Sequence, residues 1–433
     1  MNKIHITTLG CPKNTVDSDH LGNMFRAEGF EQVQESGDAD ILLVNTCGFV
    51  KDAKEESIEE ILGLAEGKGG KKLLVFGCLA KRYGDELVKE IPEIDGIWGV
   101  AEEPQILEYC RALPGKRTKT VLKKDKAESG GNLSYAYLKI AEGCDKKCTF
   151  CVIPAIRGPF RSTPHEEVLK EAQELVSKGV RELILVAQDI TNYGKEKGEY
   201  DLVSLLKDIA AISGDFSIRL LYLYPTAITD DLLNLIASEE KIQKYLDIPL
   251  QHSEDRVLRL MGRRGTRKEY LKLLKNIRRR VPAIALRTTF IVGFPTETES
   301  EFNGMMDFIE EVKFDRLGAF IYSKEEGTPS AKLKGQAPEK VKLRRLDEIM
   351  KSQALISLEK NRELVGKRYK AIVDEIEGEV AFARLYSHAP EIDGVVIIED
   401  IAGLRAGDVV TVDITDAYDY DLKGRPVSGV RPD

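Results

Sequence analysis

Three cysteines spaced C-x3-C-x2-C, Cys144, Cys148 and Cys151 in AEGCDKKCTFC, constrain this chain more than any other feature. Three thiolates that must meet at one metal group need a loop held at its base by ordered structure. Zinc sites usually pair two C-x2-C units or add histidines, and no such pair follows. Three thiolates on one loop suit a [4Fe–4S] cluster, which normally takes four ligands, so one iron is left open. The competing reading is an incomplete zinc knuckle with a distant fourth ligand.

Cys11, Cys47 and Cys78 share a second pattern. Each closely follows an apolar run, in HITTLGC, ILLVNTC and LLVFGC. Ligands of open parallel sheets bind outside the carboxyl ends of the strands, so these thiols can converge there. Gly10, Gly48 and Gly77 would let the backbone approach a bulky inorganic ligand. Three unrelated buried thiols are the alternative. The seventh cysteine, Cys110 in ILEYCRAL, falls at helical spacing and reads as core.

A chain of 433 residues accommodates two to four domains at roughly 100–200 residues each. No apolar run approaches the ~18 residues of a spanning helix, and MNKIHITTLG has no apolar signal core, so a cytoplasmic protein with no membrane partner is expected. Apolar runs at 4–8, 41–44 and 73–76 alternate with helical patterns at 18–28, 54–65, 84–90 and 104–112. That rhythm predicts a small parallel α/β sheet with helices on both faces. A basic, then Gly/Ser-rich stretch at 113–132 reads as a linker. Six further strand patterns, 135–140, 182–187, 218–224, 245–250, 286–292 and 316–322, predict a partial or complete β/α barrel. After a long helical pattern at 338–364, short strands at 369–373, 381–385, 394–398 and 409–414 predict a small antiparallel barrel. The fold class is α/β multidomain.

Charge divides with these segments. The formal net charge of −8 resolves into −6 over residues 1–120, +4 over 121–365 and −6 over 366–433. Neutralising phosphates takes clustered Lys and Arg, so neither end reads as a nucleic-acid clamp. An acidic surface fits a basic protein partner, or simply keeps the chain soluble.

Two three-cysteine sets, the second C-x3-C-x2-C, followed by an acidic small barrel, resemble the radical S-adenosylmethionine methylthiotransferases. The likeness runs through TLGCPKNTVDSD, LLVNTCGFV, FGCLAKRY, YAYLKIAEGCDKKCTFCVIPAIRGPFRS, AQDITNYG, DIPLQHS, LRTTFIVGFPTETE and RLGAFIYSKEEGT. GCPKN with VDSD, and the tail AYDYDLKG, are similar to the branch that modifies small-subunit ribosomal protein S-twelve. The tRNA branch typically has a Cys-Gln-Met-Asn form at the first site. The resemblance implies a methylthiotransferase domain at 1–120, a radical S-adenosylmethionine core at 130–362 and a TRAM barrel at 366–433. It also implies two [4Fe–4S] clusters, on Cys11, Cys47 and Cys78 and on Cys144, Cys148 and Cys151. The reaction would convert a loop aspartate of protein S-twelve to its 3-methylthio derivative with two S-adenosylmethionines and an external electron donor. One S-adenosylmethionine would give the methyl group and the other a 5′-deoxyadenosyl radical. Thr296 in GFPTET and Thr163 in RSTP depart from the family, which usually has Gly and commonly a basic residue there.

Around the second cysteine set, Phe150 covers the cluster or the adenine, or else packs the loop. Gln188 and Asp189 end the second barrel strand, where the superfamily's contact to the methionine amino group usually sits. A helix cap is the alternative for Asp189. Gly293 lets the backbone approach the cofactor or makes a turn. His252 in PLQHS lines the site or is structural. Arg157, just past the cluster loop, approaches an acidic substrate or, like Arg161 and residues 278–280, faces solvent. A tRNA methylthiotransferase is the nearest rival function, and its tail barrel should be basic. A non-catalytic iron–sulfur carrier would need neither barrel.

Overall fold

The computed structural model describes residues 3–114, 134–198, 200–399, 401 and 403–427. The expected linker falls outside them apart from residues 113 and 114. The first sheet is built from β1 (Lys3–Thr8), β2 (Glu31–Gln32), β3 (Ile41–Thr46), β4 (Lys72–Gly77) and β5 (Gly96–Trp98), in the order 2-1-3-4-5. All its pairs are parallel. Every residue of β3 is buried, as a strand covered on both faces must be. Helices α1 (Pro12–Ala27) and α4 (Glu103–Ala112) lay Leu21, Phe25, Ile106, Leu107 and Cys110 on one face. Helices α2 (Lys51–Glu66) and α3 (Cys78–Glu90) cover the other with Ile61, Leu79 and Leu87. Cys110 is core, as its spacing indicates.

Two helices begin earlier than the apolar periodicity suggests. Helix α1 starts at Pro12, where proline's missing N–H costs nothing, and its first turns bury Lys13, Asn14, Asp17 and Ser18. A polar face buried against other parts of the protein leaves no hydrophobic stripe to detect. Helix α3 starts on Cys78 directly after β4. Strands β2 and β5 were too short to register as patterns.

The central sheet holds β6 (Ala136–Lys139), β9 (Glu182–Val186), β10 (Ser217–Leu220), β11 (Ile242–Asp247), β12 (Ala285–Val292) and β13 (Arg316–Ile321), while β7 (Ala141–Glu142) and β8 (Arg161–Ser162) form a separate antiparallel ribbon. The order 6-9-10-11-12-13 runs sequentially and is parallel throughout, an open six-stranded barrel wall. The C-terminal barrel closes as β14 (Arg368–Glu377), β15 (Val380–Arg384), β16 (Val396–Ile398), β18 (Leu422–Pro426) and β17 (Val409–Ala417). It has one strand more than expected, and the β16–β18 pair is parallel, so the barrel is not wholly antiparallel. Each fully buried Leu, Ile or Phe in these cores contributes about 1.5–3 kcal/mol.

The C-terminal barrel docks on the central sheet through buried charge. Glu182 of β9 is fully buried between Arg219 (2.8 Å) and Arg384 of β15 (2.6 Å), and Arg219 also donates to the Tyr386 carbonyl (2.7 Å). Burial works to raise the Glu182 carboxyl pKa, but the two guanidiniums overcome it and hold the pKa below the ordinary value. Removing one partner of a buried pair costs roughly 3–5 kcal/mol, because the other charge stays desolvated. Glu182→Ala is therefore expected to lower the thermal midpoint by several degrees, followed by circular dichroism. In the parent protein the Glu182 contribution is present above the unfolded carboxyl pKa of about 4.3 and is lost as pH falls through the lower folded value. An unchanged midpoint in the variant would show that the pair is not holding the interface.

Candidate functional site

Cys11, Cys47 and Cys78 follow β1, β3 and β4, which are neighbours in the first sheet, so three distant sequence positions share one sheet edge. Gly10 (φ 97°) turns the chain so closely that a Cβ there would lie 2.7 Å from the Cys47 Cβ. A Cβ on Gly48 would lie 2.8 Å from the Leu79 nitrogen. Ser57 clamps Cys47, accepting from its N–H at 3.0 Å and donating to its carbonyl at 3.1 Å. Asn14 donates to the Leu9 and Thr46 carbonyls, and Asn45 donates to the Asn14 carbonyl. Burial, with Cys11 and Cys78 nearby, pushes the Cys47 thiol up to about 11, and burial also raises that of Cys78.

Cys144, Cys148 and Cys151 lie on the loop after β7, partly exposed. The loop is fastened at several points. Thr149 donates from N–H to Met261 and from its hydroxyl to Leu260, and its carbonyl accepts from Ser330. The Cys144 N–H reaches Gly158, and Asp145 accepts from Phe160 N–H. The Arg263 guanidinium lies 3.9 Å from Cys148 Sγ. Burial pushes the Cys151 thiol up to about 12 and raises that of Cys144. Thiols must lose their protons to bind metal, so loading releases protons here. Among the described residues no three His, Cys, Asp or Glu side chains close around a single metal ion.

The two sets approach each other through an apolar contact. Cys78 packs with Val152 and Ile156, the turn following Cys151, and with Phe49 and Val100. Helix α1 crosses onto the inner face of the central sheet, where Val16 packs among Tyr137, Ile184, Val186, Leu221 and Tyr245. A charged knot fixes this crossing. Arg157, 4% exposed, donates to Asn14 (2.6 Å), Asp17 (3.1 Å) and both oxygens of Glu142 (3.0 Å). Lys139 bridges Asp17 and Glu142. Burial opposes ionisation of Glu142, but Lys139 and Arg157 hold its pKa down at about 2. Arg157 therefore neither faces solvent nor stands free for a substrate. On the far side Glu325 accepts from Lys54 (2.9 Å) and Arg82 (2.8 Å), tying α2 and α3 to the segment after β13.

Other expected site residues divide. Gln188 donates to Glu142 (3.1 Å) while its Oε1 is buried without a hydrogen-bond partner. Asp189 caps a turn through Thr191 and pairs with Lys146 (3.2 Å), which matches the capping alternative. Phe150 packs against Val257, Met261, Phe294 and Tyr322. Gly293 (φ 69°) makes a turn against Lys342, whose Cγ would lie 2.4 Å from a Cβ there. His252 is fully buried and accepts from Glu254 N–H (3.0 Å), and burial pushes its pKa down to about 3. Thr296 adopts φ 68°, which explains why glycine is usual at that position.

Two residues that motif reading passed over stand near Cys11. Lys13 is 7% exposed and sets its ammonium 3.7 Å from the ring centroid of Tyr222. Burial opposes its charge, yet Tyr222 and Cys11 outweigh burial and its pKa is raised. Tyr222, just past β10, adopts φ 63°, an outlier for a bulky residue. Its N–H is held by Asp247 (3.0 Å), itself paired with Arg287 (2.9 Å).

Family models match this arrangement in sequence order: the uncharacterized protein family UPF0004 over residues 3–99, the radical SAM superfamily over 138–309 and the TRAM domain over 365–427. A solved radical S-adenosylmethionine methyltransferase, TsrM from Kitasatospora setae, aligns with TM-score 0.55 and 14% identity over 87% of this chain and 79% of that one, a likeness of fold alone. The ribosomal protein uS12 methylthiotransferase RimO of Thermodesulfovibrio yellowstonii is 58% identical over 98% of this chain and 99% of that relative. The same enzyme of Carboxydothermus hydrogenoformans is 46% identical over 98% and 99%. With that identity sustained across the first sheet, the open barrel and the closed one, the chain belongs to the RimO family of radical SAM methylthiotransferases.

Proposed function

We infer that this enzyme methylthiolates the β-carbon of a loop aspartate in ribosomal protein uS12, the S-twelve of the small subunit, with one [4Fe–4S] cluster on each cysteine triad. The observation that carries this reading is the approach of the two triads, with Cys78 packed against Val152 and Ile156, which follow Cys151. The donor chemistry fits, since soft thiolates are the ligands of iron–sulfur clusters. Gly10 and Gly48 bring backbone too close to Cys47 and Cys78 for any side chain, as a bulky group at that edge requires. With S-adenosylmethionine bound, such clusters supply radical hydrogen abstraction at unactivated carbon and a nucleophilic sulfur for methyl transfer.

The chain's own residues then bind and orient. Gln188, anchored through its amide nitrogen on Glu142, offers an unsatisfied buried acceptor that suits the methionine ammonium of S-adenosylmethionine. Lys146 lies over the Tyr224 ring and pairs with Asp189, fixing the backbone beside Cys144. We take 1–120, 130–362 and 366–433 as the three domains. The net −6 over the last of these favours a basic ribosomal protein over tRNA, because tRNA binding is dominated by phosphate contacts. A ribosomal substrate places the enzyme in the cytoplasm, and an external electron donor and two S-adenosylmethionines complete the turnover.

Anaerobically reconstituted enzyme with reductant and S-adenosylmethionine should add one methylthio group to uS12 and none to tRNA, read by intact mass. Modification of tRNA alone would overturn the substrate assignment. The holoenzyme should contain about eight irons, falling to about four when Cys11, Cys47 and Cys78 are all replaced by Ala. That variant should still cleave S-adenosylmethionine reductively while losing methylthiolation. Loss of both activities with four irons retained would contradict the division of labour between the triads.

A further inference from the structure

Helix α2 is the least anchored of the four helices on the first sheet. Of its 16 residues only Ser57 and Ile61 are buried, whereas α1, of the same length, also buries Leu21, Phe25 and most of its first two turns. Its other apolar side chains are not scattered. Ile58 and Leu62, one turn apart, face α3, and with Leu79, Tyr83, Leu87 and Ile91 they floor a groove of about 550 Å³ between the two helices. Leu62 is 45% exposed there. A concave apolar strip with a polar rim is the form that interaction sites take, unlike single exposed leucines.

Both walls of the groove start at the cysteine-bearing edge of the sheet. Helix α3 begins on Cys78, and α2 begins at Lys51, shortly after Cys47, so the groove runs outward from that edge. Its near end is fixed in place. Lys54 and Arg82 stand over the Tyr83 ring at 5.7 Å and 4.9 Å, and both spend their charge on Glu325 after β13. Glu55, Glu86 and Glu90 line the rim. The two helices together carry nine acids against five bases, two of which are the pair held by Glu325. Lys51 meets Glu55 at 3.4 Å and Lys89 meets Glu90 at 3.7 Å, exposed contacts that hold little in water. The groove is thus apolar at its floor and acidic around it.

We propose that this groove docks a basic segment of uS12 that carries apolar side chains, and so holds the substrate while its target loop reaches the cysteine-bearing edge. This rests on the uS12 reading above and goes beyond it, naming where the enzyme grips the chain beside the loop. Charge complementarity selects the occupant. A ribosomal protein needs clustered Lys and Arg to neutralise RNA phosphates, and those side chains match the rim. Nucleic acid meets acids above a floor without donors, and an acidic protein meets like charge. Apolar anchors against Ile58 and Leu62 bury the open strip and supply affinity, while the rim supplies steering and register.

The test follows methylthiolation by reconstituted holoenzyme over a range of uS12 concentrations, in the parent and two variants. Leu62→Asp places a charge on the apolar floor, and the double variant Glu86→Lys, Glu90→Lys reverses the rim. Each should raise KM for uS12 about tenfold while kcat at saturating uS12 stays at the parent value. The double variant should also lose most of the rise in KM that added salt causes in the parent. Iron content, and reductive cleavage of S-adenosylmethionine without uS12, should match the parent. Glu86 and Glu90 are exposed, so the double variant decides alone if Leu62→Asp holds less iron. A parent-like KM in the double variant overturns the proposal. So does a fall in its kcat or iron content, which makes this face a structural support of the cysteine edge. With a parent that modifies uS12, either result removes the groove's role alone. If the parent neither binds nor modifies uS12, the substrate reading falls, and the docking proposal with it.

Discussion

The guanidinium of Arg157 gathers an amide and one acid from α1 and a second acid from the ribbon after β6, and the juxtaposition of the two cysteine triads follows from that knot. Each triad is local to its own sheet. Nothing within the first sheet dictates how far Cys11 stands from Cys144. Arg157 lies six residues past Cys151, and its partner Asn14 three past Cys11, so one side chain references both metal-binding edges to each other. Pairing alone would contribute little at a wet surface. Here the guanidinium is almost fully buried with every partner satisfied, and loss of any member leaves a desolvated charge behind. That penalty confers definition of geometry more than net stability. Glu325 with Lys54 and Arg82 repeats the device on the other side of the first sheet, giving the crossing a second fixed point.

The same buried polarity explains what could and could not be read from the sequence. The parallel strands were legible because both faces are covered, which makes β3 and β9 near-continuous apolar runs. The cysteines were legible because strand-end placement repeats. The first two turns of α1 were not. KNTVDSD carries no hydrophobic stripe, yet Lys13, Asn14, Asp17 and Ser18 are buried against the site and the central sheet. Periodicity reports burial of apolar residues only, so a helix whose inner face is polar reads as loop. Arg157 was open to two readings, solvent or substrate, and both missed its place because two of its partners, Asn14 and Asp17, lie more than a hundred residues away in sequence. Thr296 departs from the family residue but keeps the left-handed backbone, with Gly335 accepting from its N–H and Arg256 donating to its carbonyl.

The closed C-terminal barrel enters the same argument from the opposite direction. Its segment between β15 and β16 inserts Ala389 among the inner residues of the central sheet, with Glu391 accepting from Tyr135 and Asp393 from Tyr245. Asp393 also pairs with Arg287 (3.5 Å), Arg287 with Asp247, and Asp247 holds the N–H of Tyr222. A chain of opposite charges therefore runs from the C-terminal barrel through the interior of the open sheet to the strained residue under Lys13. Strain of that kind persists only where its surroundings over-determine it. The barrel that closes the chain thus helps to hold the backbone conformation of Tyr222, and its docking cannot be separated from the geometry around Lys13.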